Sequence, residues 1–179
     1  MTSQVKHSKY IKIKPKEYQE WAAKVLDYEQ YDYPKDLDKV TKLIHKNLDL
    51  ELCPKKFKEK NQGNPLLGIK SNPMLGHCYH TTQALYYFFR DANLKAMSAS
   101  CDVAGSHWWC EDVDGNIIDI TQDQYLSVGT KPPHDKGKKT KWYGWRNRVH
   151  ARSLVLMNKV QPSSKLYREQ YLEKPKKSY

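Results

Sequence analysis

Near residue 93 the spacing of apolar side chains changes period, and few architectures accommodate that change. From Cys78 to Asn93 the stripe Cys78, Thr81, Thr82, Leu85, Phe88, Phe89 and Ala92 returns every three or four residues, which predicts a helix with one buried face. From Lys95 to Val103 the period drops to two, with Ala96, Ser98 and Ser100 against Met97, Ala99 and Cys101, as in a half-buried strand. A second strand is expected over Gly105 to Val113, where Trp108 and Trp109 cover both faces. Asp114-Gly115 is a hairpin-turn dipeptide, and Asn116 to Ile120 makes a third strand.

Upstream, Tyr18, Trp21, Ala22, Val25 and Leu26 fall at helical spacing between Lys16 and Leu26. A further helix starts near Pro34, with Leu37, Val40, Leu43 and Ile44 on one stripe and Pro54 closing the region. Residues 54–75 read as a long surface loop, of the kind used as a lid or binding element. After Thr121 come a short helix, a polar loop from Val128 to Lys141, and a last helix from Arg152 to Val160 ended by Pro162. Helices first, then a central Cys-bearing helix packed on an antiparallel meander, define an α+β class. With 179 residues the chain is expected to form a single domain, 1–179. It divides into a basic arm (1–15), the helices and core (16–126), and a basic aromatic loop with C-terminal helix and tail (127–179).

Five Trp and thirteen Tyr exclude a disordered chain. No apolar run approaches the roughly 20 residues of a membrane span, and Met1 to Tyr10 lacks the apolar core of a secretory signal. The four cysteines, Cys53, Cys78, Cys101 and Cys110, are therefore expected as reduced thiols in a cytoplasmic protein. Charge is unevenly placed. Residues 131–179 hold 14 of the 31 Lys+Arg and 3 of the 20 Asp+Glu, so the whole net charge of +11 resides there. Lys138, Lys139, Lys141, Arg146, Arg148 and Arg152, interleaved with Trp142 and Trp145, are candidates for holding nucleic acid or another polyanion. A solvated basic tail that keeps the protein soluble explains the same charge.

Chemistry concentrates in the centre. Cys78 opens the central helix, where unpaired amides and the helix dipole favour a thiolate and can donate to an oxyanion. A small buried packing residue is the alternative for the same cysteine. His107 begins one strand and Asp119 lies on the next, so Cys78, His107 and Asp119 supply a nucleophile, a base and an orienter in chain order. A two-residue Asp114-Gly115 loop would set Cys110 opposite Asp119 and leave His107 on the opposite face. A one-residue change of loop length reverses that parity.

Gly76-His77-Cys78-Tyr79, Gly105-Ser106-His107-Trp108-Trp109 and Gly115-Asn116-Ile117-Ile118-Asp119-Ile120-Thr121 resemble the core of transglutaminase-like, papain-fold cysteine enzymes. With Asp123, Gln124 and Tyr125 they also resemble a branch of small phage and bacterial proteins that end in a basic, Trp-containing segment. The likeness covers residues 75–126 well and the last quarter loosely. It implies a cysteine hydrolase or acyltransferase acting on an amide, isopeptide or thioester bond, through a Cys78–His107–Asp119 triad and a thioester intermediate. It further implies a protein, peptide or small amide substrate, an oxyanion side chain from Asn72, Gln62 or Asn64, and, for a phage protein, the host cytoplasm. Trp108, Trp109 and Tyr79 are expected as pocket wall. Some members of this fold only bind, so a non-catalytic module that holds a polyanion is the alternative. No cofactor is expected. A zinc site built from His77, Cys78 and His80 with His107 and Cys110 is disfavoured by the absence of a Cys-x-x-Cys pair.

Overall fold

A computed structural model describes residues 10–12, 28–102, 104–140 and 148–162. The expected helix at 16–26, the end of the C-terminal tail, and Lys141, Trp142, Trp145 and Arg146 lie outside them. The chain runs β1 (Tyr10–Lys12), α1 (Leu37–Lys46), α2 (Lys58–Gln62), α3 (Cys78–Phe88), β2 (Lys95–Cys101), β3 (Gly105–Glu111), β4 (Ile117–Ile118), α4 (Asp123–Leu126), β5 (Lys138–Lys139), β6 (Arg148–His150) and α5 (Ala151–Val160). Strands β4-β3-β2-β5 form one antiparallel sheet, and β1 pairs with β6 in a second. This is the expected α+β arrangement. Among the described residues no helix is long and apolar enough to cross a membrane.

Helix α3 is buried on nearly every side because it packs against four elements. One flank lies on β3 and β2, and others meet α5 and α1. Leu85 and Phe88 share a core with Val40 and Ile44 of α1, Leu154, Leu156 and Met157 of α5, and Cys110 and Ile118 of the sheet. Gly76 fixes the entry to the helix at φ +86°, and a Cβ there would lie 2.9 Å from the Phe57 ring. Glycine alone meets both conditions without strain.

Several boundaries differ from expectation for local reasons. Helix α1 starts at Leu37, after a turn that occupies Pro34. Helix α3 stops at Phe88, and a 3₁₀ turn leads to Asn93, which takes the left-handed conformation at φ 52°. The strands are shorter than expected, most of all β4. Residues 54–75 are a built segment, with α2 and two 3₁₀ turns. Buried Asn61 ties it down by donating to Pro73 O at 2.8 Å and Leu75 O at 3.0 Å. Those bonds argue against a lid.

The β3–β4 turn decides the register. Asp112 N–H donates to Asn116 C=O at 3.0 Å, so the loop is Val113–Gly115, three residues long, with Gly115 at φ +85°. The Asp112 carboxylate holds this shape by accepting from the amides of Asp114 (3.0 Å) and Asn116 (2.8 Å). Cys110 consequently faces Ile118 and Glu111 faces Ile117. Continued by one residue, Asp119 comes level with Trp109 and shares the parity of His107. The one-residue change of loop length that reverses the parity is present.

Candidate active site at the free edge of β3

Strand alternation sorts the side chains of β3. Trp108 and Cys110 face α3, and Cys78 packs with Trp108 and Ala96 on that side. His107 and Trp109 point the other way, stacked on each other at 5.6 Å. Tyr125 (4.7 Å) and His134 (6.1 Å) close over His107, which is fully buried.

Asp119 organises this second face. His107 Nε2 lies 2.6 Å from its Oδ2, and His134 Nε2 lies 2.8 Å from the same oxygen. The other oxygen accepts from the Thr121 amide at 3.0 Å and its hydroxyl at 3.4 Å. Burial pushes the Asp119 carboxyl up, but the hydrogen bonds from the two imidazoles outweigh it and leave the group below its ordinary value. The remaining ring nitrogen of His107, Nδ1, faces the Gln124 amide nitrogen at 3.0 Å. That amide also donates to Thr121 C=O at 3.1 Å, which identifies it as the NH₂ end. Nδ1 is thus an acceptor, and the His107 proton sits on Nε2, directed at Asp119.

Cys78 occupies a different position. Beyond Cys110 the edge of β3 has lost β4, and the sulfur fills the gap. Its thiol donates to Ser106 C=O at 3.8 Å, and the backbone amides of Trp108 and Tyr79 are directed at the sulfur. Ser106 and Trp108 flank His107, so the sulfur lies at the edge of β3 toward which the His107 ring reaches for Asp119. No hydrogen bond joins Cys78 to His107 among the described residues. Burial pushes the thiol up to about 12, with the charge of Asp119 adding to the effect and the two amides only partly opposing it. The thiolate expected from the helix N-terminus is therefore not the resting form: loss of water outweighs the dipole.

The structure brings together His107 and Asp119 and leaves Cys78 alongside them without a bond. Other expectations are corrected. Asn72 is buried and donates to Gln124 C=O at 2.8 Å, Asn64 donates to Glu59 at 3.2 Å, and Gln62 is exposed. None of the three aims at the sulfur, and the donors that do are main-chain amides. Tyr79 and Trp108 wall a cleft beside Cys78, whereas Trp109 walls the imidazole on the far face. The grouping of His77, Cys78 and His80 with His107 and Cys110 does not converge. His77 and His80 bond each other at 2.9 Å, and burial lowers both, His77 to about 4. Cys110 donates to Thr82 C=O.

The group that could hold a metal is a different one. His107, Asp119 and His134 have ligand atoms within 4.8 Å of one another, drawn here into hydrogen bonds. His134, in the loop after Pro133, had no motif to announce it. Of the basic candidates, Lys138 and Lys139 are exposed on β5, Arg152 lines the cleft, and Arg148 lies on β6. Comparison of the chain with known protein families, curated proteins and solved structures finds no match in any of the three.

Proposed function

We propose that the chain is a thiol-dependent hydrolase or acyltransferase that acts on an amide, isopeptide or thioester carbonyl through Cys78. The observation that carries the reading is the placement of the sulfur. It sits at the N-terminus of α3 and at the free edge of β3, on the wall of a cleft, with the Asp119-held imidazole of His107 in the intervening strand. A carbonyl entering the cleft would be attacked by sulfur as the thiol proton moves to His107 Nδ1. The Tyr79 and Trp108 amides, already directed at the sulfur, would turn to the new oxyanion. Collapse expels the leaving group, which takes the proton back from His107, and water or another acceptor then cleaves the thioester. Asp119 holds Nε2–H throughout. The step requires the Gln124 amide to release Nδ1.

The test is acylation by p-nitrophenyl acetate followed by peptide mapping. An acetyl group should accumulate on Cys78 ahead of the half-buried Cys101 in the same chain. His107→Gln should slow that step by roughly 10²–10⁴-fold. Equal labelling of both cysteines, or a rate indifferent to His107, would overturn the proposal.

A second reading has its own support. Both nitrogens of His107 are occupied and the thiol is neutral, as suits a papain-like shell that binds a polyanion without catalysis. Absence of any Cys78 adduct, together with retained polyanion binding, would favour it.

A further inference from the structure

We infer that the cleft leading to Cys78 selects an acidic peptide segment. This rests on the thiol reading for its orientation, though not for its binding chemistry. Two depressions adjoin at Ser106 and Trp108, which line both, and are taken together as an inner and an outer part of the cleft. The inner part, about 180 Å³, is lined by Cys78 and Tyr79 with Lys56, His150 and Arg152. The outer part is a groove of about 610 Å³, within the roughly 300–1,000 Å³ of ligand clefts.

Alternation explains the outer groove. Ser98 and Ser100 of β2 and Ser106 of β3 fall on one face, where three small side chains leave a trough floored by hydroxyls. Register places Lys138 of β5 beside Ser98, and Lys136 and Thr140 complete the rim. Among the described residues no Asp or Glu lines either part of the cleft. Neither Lys136 nor Lys138 makes an ion pair among the described residues. A trough rich in hydroxyls and ammonium groups, closed to carboxylates, attracts negative charge and repels cations.

Peptide chemistry fits better than nucleic acid for two reasons. Among the described residues Trp108 is the only ring lining the outer groove; it is buried, and its indole N–H is turned to the Ser106 hydroxyl at 3.2 Å. The described residues of the groove therefore offer no platform on which successive bases could stack. Serine hydroxyls both donate and accept, so they match a peptide backbone, while two lysines two residues apart match acidic side chains.

The experiment is fluorescence anisotropy with a labelled peptide of alternating Glu and Gln, using the full chain. Binding is expected, weakening as salt rises. Lys136→Glu with Lys138→Glu should reduce it by roughly tenfold. The same reversal at Lys42 and Lys46 of α1, which do not line the cleft, should leave it unchanged. Salt-indifferent or absent binding, or no effect of the groove reversal, overturns the inference. So does single-stranded DNA that binds more tightly and displaces the peptide. The two readings fail separately. Acetylation of Cys78 without preference for the acidic peptide sinks the cleft assignment alone, and peptide binding without any Cys78 adduct sinks the thiol chemistry alone.

Discussion

Replacing Asp119 by Asn tests the network that both faces of the site depend on. The Asp119 side chain is 2% exposed, and its Oδ2 accepts from two imidazoles, at 2.6 and 2.8 Å. Asn retains one oxygen for the Thr121 amide and puts an NH₂ where both histidines donate. Each lost hydrogen bond to a charged group is worth about 1.5–3 kcal/mol. The bond to His107 is fully desolvated and counts at the upper end. That to His134, whose side chain is 20% exposed, counts at the lower. The expected loss is about 3–5 kcal/mol near neutral pH. Urea unfolding followed by tryptophan fluorescence measures it, since Trp109 stacks on the affected ring. The loss should also depend on pH. Asp119 has its folded-state value lowered from 3.8, so the wild-type advantage is complete above that ordinary value. It disappears as pH falls through the lower folded value. A loss under 1 kcal/mol, or a gap that widens in acid, would refute the account of Asp119 as the shared acceptor.

Four other perturbations probe neighbouring parts of the structure. Burial holds the Cys78 thiol up to about 12, so iodoacetamide should modify it at neutral pH more slowly than in the urea-unfolded chain, and the rate should climb well above pH 9; rapid modification at pH 7 would show that water reaches the sulfur. Gln124→Leu strands His107 Nδ1, while the Thr121 carbonyl keeps the backbone amide of residue 124, at a cost of about 1–3 kcal/mol in urea unfolding. The same variant should nonetheless quicken acetylation of Cys78, and a slower reaction would show that Gln124 is not the group holding Nδ1 back. Gly115→Ala should cost about 1–2 kcal/mol from its left-handed backbone alone, since nothing lies within 4 Å of the added carbon. Gly76→Ala meets the Phe57 ring as well and should lower the melting temperature further; equal shifts would deny that contact.

How far the fold could be read in advance depended on the range of the forces involved. Side-chain spacing along a few turns or strand residues was sufficient for α3, β2 and β3, because a buried stripe must repeat with the period of its own backbone. The apposition of His107 and Asp119 was legible as residue types in order, but not as geometry. It turned on whether the β3–β4 loop had two residues or three, and that was settled by the Asp112 carboxylate gripping the amides of Asp114 and Asn116.

Other features had no local signal at all. His134 reaches Asp119 only because the loop after α4 folds back over β3, and Gln124 caps His107 because Thr121 and Asn72 fix it there. The state of Cys78 shows the same division. Chain order placed a cysteine at a helix N-terminus, where the dipole favours a thiolate. Tertiary packing then removed the water and set the sulfur against a carbonyl at the strand edge, and desolvation, the larger effect, keeps the proton on sulfur.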